Sequence, residues 1–223
     1  FMSNLEEHYC LRVWEPFLDK WNNLLICGGS IFNSLICDII DKENRKSDVN
    51  IVSVNLSIWD LKFIMQDFEN CLHSARCHFI RATNANEKIN TYWIQFDKLI
   101  TIQFIHMCEH MTIADILSSF DLSCVQVAYQ PGKIQKIHYT EAFRDFLQTS
   151  ICRIYNYDPT DYGNQFDATQ YTNTNKGLYQ RIEKYKARGV RYFRFPGYVN
   201  ASEIQKDFNL YVKECRTENE IGD

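Results

Sequence analysis

At 223 residues, with a formal net charge of −4 and a pI near 5.9, the chain has room for one core and a small extension but not for two large domains, and it is too acidic to be held on nucleic acid by bulk positive charge. Hydrophobic residues at 45% and charged residues at 23% exclude a disordered composition. No apolar run nears the ~20 residues of a membrane span, the opening FMSNLEEHYC has neither a basic nor an apolar leader segment, and the nine cysteines follow no disulfide spacing. The expectation is a soluble cytoplasmic protein with reduced thiols and no membrane contact.

From Asn4 to Asn22, the residues Leu5, Tyr9, Val13, Trp14, Phe17, Leu18 and Trp21 fall at helical spacing and predict one amphipathic helix. The apolar run Leu24–Cys27 predicts a strand that stops at Gly28-Gly29, and Ser30 opens a helical pattern through Ile31, Leu35, Ile36, Ile39 and Ile40. After a charged loop at 42–47, Asp48–Val54 alternates with period two and predicts a half-buried strand. Ser57 is placed to cap a helix reaching about Asn70.

Three further strands are predicted at 76–81, 90–96 and 99–106, the last two as a hairpin across Asp97-Lys98. A helix over Thr112–Ser119, a strand over Phe120–Tyr129, a Pro131-Gly132 turn and a strand over Ile134–His138 come next. Thr140 then caps a helix to about Arg153. Residues 156–176 carry little periodicity and predict a long loop, followed by helices near 177–188 and 201–215. The organisation expected is a core at 1–155, the loop at 156–176, and a basic helical extension at 177–223 packed on that core.

Phosphoryl chemistry on a nucleoside triphosphate needs backbone N–H groups to hold phosphate and carboxylates aimed at a bridging divalent cation. Gly28-Gly29-Ser30, between a strand and a helix, has the residue types for the first task; glycine lets backbone approach phosphate, and the Ser30 hydroxyl can add a hydrogen bond. Asp48, on the next strand, has the type for the second.

In these features the chain resembles the DNA polymerase beta-like nucleotidyltransferase superfamily. ICGGSIFNSL matches its strand, Gly-Gly or Gly-Ser turn and helix, and SDVNIVSV its Asp-x-Asp strand. ITIQFI, FDLSCVQVAY and RIEKYKARGV resemble segments of a viral and phage-type branch. The resemblance implies an α/β fold of the α+β kind, with a mixed sheet flanked by helices and a small C-terminal helical extension. It also implies NTP as ligand, magnesium as cofactor, and a hydroxyl acceptor on RNA, a nucleotide or a protein.

The chain departs from the family pattern at the acidic positions. Asn50 stands where the second aspartate would be and Gln103 at the best match to the third carboxylate, so two of three expected acids are neutral amides. Asp48 is the matched metal-facing residue and Asn50 its partner position. Asp121 reads either as a substitute ligand or as a strand-start residue bonding nearby backbone. The segment Arg181, Lys184, Lys186, Arg188, Arg191, Arg194, interleaved with Tyr179, Tyr185, Tyr192, Phe193 and Phe195, reads in two ways. It suits triphosphate or single-stranded nucleic acid, with Arg181 and Lys184 sharing a helix face, and it also suits a solvated helix side. Two functions stand side by side: transfer of NMP from NTP with magnesium at Asp48, and a catalytically silent relative kept as a binding or structural module, of viral type.

Overall fold

A computed structural model describes residues 1–36, 47–85, 87–132, 135–157 and 174–197. The N-terminal pattern forms two helices, α1 (Met2–Tyr9) and α2 (Leu11–Leu18), where one was expected. Cys10 takes a left-handed conformation (φ 50°) and its N–H bonds to Glu6 O at 3.0 Å, which closes α1 and turns the chain. Both helices still bury the predicted residues, Leu5, Tyr9, Trp14, Phe17 and Leu18.

Strand β1 (Leu24–Cys27) leads into helix α3 (Gly29–Leu35), then β2 (Val49–Ser53) and α4 (Ile58–Ser74). The expected continuation through Ile39 and Ile40 lies outside the described residues, as does most of the charged loop. Ser57 caps α4 through a reciprocal box in which its Oγ accepts from Asp60 N–H and the Asp60 carboxylate accepts from Ser57 N–H. Thr112 and Asp115 repeat the device on α5 (Ile113–Ser118).

Strands β3 (His78–Thr83), β4 (Ile89–Gln95) and β5 (Leu99–His106) follow, and β4 and β5 form the predicted hairpin. The single strand expected over Phe120–Tyr129 is a 3₁₀ turn, Ser123–Val125, ahead of a shorter β6 (Val127–Gln130). β7 (Lys136–Tyr139) returns beside it. Helix α6 (Glu141–Thr149) stops short of Arg153 because Ser150 is left-handed (φ 59°), and its N–H bonds to Phe146 O at 2.8 Å.

The released residues form β8 (Ile151–Arg153), which pairs in parallel with β9 (Tyr192–Arg194) beyond α7 (Thr174–Ala187). Neither short strand was expected. The helix predicted at 201–215 lies outside the described residues.

The main sheet has the order β3-β4-β5-β2-β1-β6-β7, and only the β2–β5 pairing is parallel. It is thus mixed and flanked by helices, as expected. β2 is not half-buried. Val49 and Ile51 enter the large core under α1, α2 and α4, while Val52 enters a second cluster with Leu25, Cys27, Ala128, Ile116 and Leu117 beneath α5. A central strand covered on both faces loses the polar alternation of an edge.

In the large core Phe68 of α4 meets Phe17, Phe104 and Tyr92 with ring centroids 5.1 to 5.3 Å apart. Helix α7 belongs to the same core through Leu178, Tyr179, Ile182 and Tyr185. Among the described residues no helix is long and apolar enough to cross a membrane.

Candidate functional site

The register Cys27↔Asn50 places the end of β1 beside the start of β2, so the glycine turn and Asp48 emerge at the same end of the sheet. Asn50 in turn lies opposite Gln103 on β5. The two amides that replace expected carboxylates are therefore neighbours on one face.

Gly28 takes φ 73° and ψ −134°, a conformation that disfavours any Cβ. Its N–H bonds to Val127 O at 3.0 Å, so this donor completes the sheet instead of facing a ligand. Gly29 is required by crowding. A Cβ there would fall 2.6 Å from the Tyr185 hydroxyl, 2.7 Å from Ser47 Oγ and 3.3 Å from Arg188 Nη1. Ser30 does not present its hydroxyl to the cleft as expected; it is fully buried and Oγ donates back to Cys27 O at 3.4 Å. A helix that starts hard against the sheet leaves its first side chain pointing inward.

Helix α7 delivers the basic residues to this turn. Arg181 and Lys184 share a face of α7, and Arg188 follows in the turn at its end, where its N–H bonds to Tyr185 O at 3.1 Å. Arg188 is 2% exposed and its guanidinium lies 5.1 Å from the Tyr185 ring centre, beside Gly29. Lys184 keeps surface open to water but is ringed by protein. Partial desolvation, then repulsion from Arg188, lowers its ammonium pKa below the ordinary lysine value, while Asp48 pulls the other way and Arg181 adds to the lowering. Arg188 and Asp48 also both act on the Tyr9 phenol, whose pKa is raised first of all by burial. The sequence had named Arg188 only as part of the basic run. Its burial comes from the docking of α7 on the core, which no local signal in the sequence marks.

Arg181 closes on Asp121. Its Nε donates to the carboxylate at 2.6 Å and a second guanidinium nitrogen pairs with the same oxygen. Asp121 is thereby committed to a cation of the protein itself. The Gln103 amide donates to Thr91 Oγ1 at 3.3 Å, whereas Asn50 Oδ1 is buried with no hydrogen-bond partner among the described residues. A groove of about 980 Å³ between α5, β7 and the start of α6 contains none of these side chains; Gln126, His138 and Tyr155 line it. The chemistry-bearing residues, and not that volume, define the site.

No family model matches the chain and no curated protein is similar to it in sequence. Solved structures are similar in fold. The Thermotoga maritima CCA-adding enzyme complexed with tRNA superposes with a TM-score of 0.53 at 12% identity, over 96% of this chain and 45% of that one. A CCA-adding enzyme in complex with ATP gives 0.55 at 13% identity, over 97% and 46%. The complex with CTP gives 0.52 at 12%, over 96% and 44%.

The fold is of the nucleotidyltransferase type.

The chain spans a little under half the length of these structures. Within that fold the magnesium implied by the resemblance can be tested on the residues present. A pair of dications beside a triphosphate needs several anionic oxygens. Here Asp48 is the one carboxylate among Asp48, Asn50, Gln103 and Asp121 that is neither replaced by an amide nor engaged by arginine, and Lys184 and Arg188 stand near it. Among the described residues no three His, Cys, Asp or Glu side chains gather as a metal site. This set does not fit two divalent cations. It fits an anion.

Proposed function

We propose that the surface where α7 and Lys184 meet the glycine-turn end of the sheet, beside Asp48, binds the phosphates of a nucleotide, and that the protein is a nucleotidyltransferase-fold binding module without efficient transfer chemistry. The observation that carries this reading is the placement of Arg188 and Lys184 against the glycine turn and Asp48, where an active enzyme of the family would gather negative charge. The cations take over the task of holding phosphate charge. The structures similar in fold include complexes with ATP and with CTP, which supports a nucleotide as the ligand class.

One observation favours a second reading, transfer of NMP from NTP to a hydroxyl with magnesium at Asp48. The buried, unpartnered Asn50 Oδ1 beside Asp48 is an oxygen that one cation would satisfy. Titration with a fluorescent ATP analogue, with and without magnesium, separates the two. The binding-module reading expects affinity that is equal in EDTA, and no incorporation from labelled NTP. Magnesium-dependent binding together with incorporation that is lost in Asp48→Ala would establish the transferase instead.

A further inference from the structure

The main sheet ends on one side at β3, and among the described residues no strand pairs with its outer edge. The phase of the β3–β4 ladder fixes which backbone groups that edge presents. Just beyond the strand, Asn84 N–H bonds to Ile89 O at 3.0 Å, which makes Asn84 and Ile89 a hydrogen-bonded pair. By alternation Ala82↔Thr91, Ile80↔Trp93 and His78↔Gln95 are hydrogen-bonded pairs as well. The N–H and C=O groups of Phe79, Arg81 and Thr83 therefore point outward, away from β4.

An outer edge of this length is commonly blunted by proline, lysine or a bulge. HFIRAT contains neither residue, and its register with β4 runs unbroken over six residues. Its one arginine is drawn in along the α4 side, where Arg81 bonds to Glu69 at 3.0 Å and to Asn90 at 3.1 Å and lies 5.8 Å from the Tyr92 ring centre. On the opposite face Ile80 is 69% and Trp93 38% exposed, side by side on paired strands. Open backbone groups and exposed apolar side chains thus coincide at one edge, and an added strand covers both at once.

We infer that β3 pairs antiparallel with β3 of a second copy of this chain across a two-fold axis, so that the two main sheets become one continuous sheet. Outward backbone groups have to meet outward groups, a condition that two-fold registers about Phe79, Ile80, Arg81 or Ala82 all satisfy. Centring on Arg81 sets two arginines opposite each other, which like charge opposes. Centring on Phe79 or Ala82 leaves the exposed Ile80 against His78 or Asn84. Centring on Ile80 sets isoleucine against isoleucine in a non-hydrogen-bonded pair, where side chains are closest, and extends the apolar row to Trp93, Ile80, Ile80, Trp93. Arg81 of each copy then faces Phe79 of the other. The strand is in this way its own complement, and that selects a second copy as the occupant. A pair of six-residue edges buries less than a standard interface, about 1,200 Å² or under, so the dimer is reversible. The edge lies three strands from β2, which separates this pairing from nucleotide binding beside Asp48.

Sedimentation velocity of the whole chain over a concentration series tests the pairing. Wild type should pass from monomer to dimer in the micromolar range. Ile80→Lys sets two ammonium groups at the axis and should weaken association about tenfold or more, with an unaltered melting transition because Ile80 is exposed. The register has its own test. With the exposed Cys108 replaced by serine, Ile80→Cys should give a disulfide-linked dimer under copper–phenanthroline oxidation, since Cα atoms in such a pair stand about 4.5 Å apart. Ala82→Cys in the same background should not, because it faces His78. A wild type that stays monomeric throughout overturns the inference, and so does a dimer that Ile80→Lys leaves unmoved. Crosslinking through Ala82→Cys but not Ile80→Cys overturns the register and the apolar row with it.

Discussion

Arg181 and Asp121, sixty residues apart in sequence, are joined by a guanidinium–carboxylate pair with Nε 2.6 Å from the carboxylate oxygen. The pair occupies the one carboxylate that was a candidate to replace a missing metal ligand, and one of the two cations expected to hold a nucleotide.

Asp121→Asn should release Arg181 to the cleft. Affinity for the ATP analogue is expected to rise a few-fold at low salt and to lose that gain at high salt, where exposed charges are screened. Arg181 is about half exposed, so the lost pair should cost at most about 1 kcal/mol in chemical denaturation. A fall in affinity would show that Asp121 takes part in binding in its own right.

Under the proposed phosphate binding, nucleotide affinity should depend on pH through Lys184. Its ammonium pKa is lowered by desolvation first and by Arg188 second. The charged form binds phosphate, so affinity should be complete at neutral pH. It should fall as pH rises through a midpoint below the ordinary lysine value of about 10.4. Lys184→Met should flatten that alkaline limb, and Lys184→Arg should move it beyond the measurable range.

Gly29→Ala brings a methyl group against the Tyr185 hydroxyl and Ser47 Oγ. Overpacking of this kind costs about 1–3 kcal/mol. If the crowding is the cause, the same substitution in a Tyr185→Phe, Ser47→Ala background should cost distinctly less, a coupling that a double-mutant cycle reads directly.

Asn50→Asp with Gln103→Asp adds two carboxylates on register partners β2 and β5, beside Asp48. Magnesium affinity, measured by calorimetry, should rise from undetectable to measurable. Without that gain, amide replacement would not be the reason the wild-type site fails to fit two dications.

Ser57→Ala removes the hydroxyl that accepts from Asp60 N–H at 3.1 Å at the head of α4. A loss of about 1 kcal/mol is expected in urea denaturation, with nucleotide binding unchanged.

The parts of this protein that the sequence determined are those set by neighbours along the chain. An apolar run located β1, period-two alternation β2, and β-branched and aromatic composition β4 and β5; Ser57 marked the start of α4; and Gly28-Gly29 marked the turn. Asn50 and Gln103 could be recognised as departures because they stand at fixed positions within matched segments. Tertiary structure decided the rest. Cys10 and Ser150 adopt left-handed conformations that no local pattern demands, and they split one expected helix and shorten another. β8 and β9 exist only because each lends the other hydrogen bonds across forty residues. The inward turn of Ser30, the capture of Asp121 by Arg181 and the closeness of Arg188 to Gly29 depend on strand order and helix docking. Those are products of packing between distant segments, and a local sequence window carries no record of which distant segment arrives.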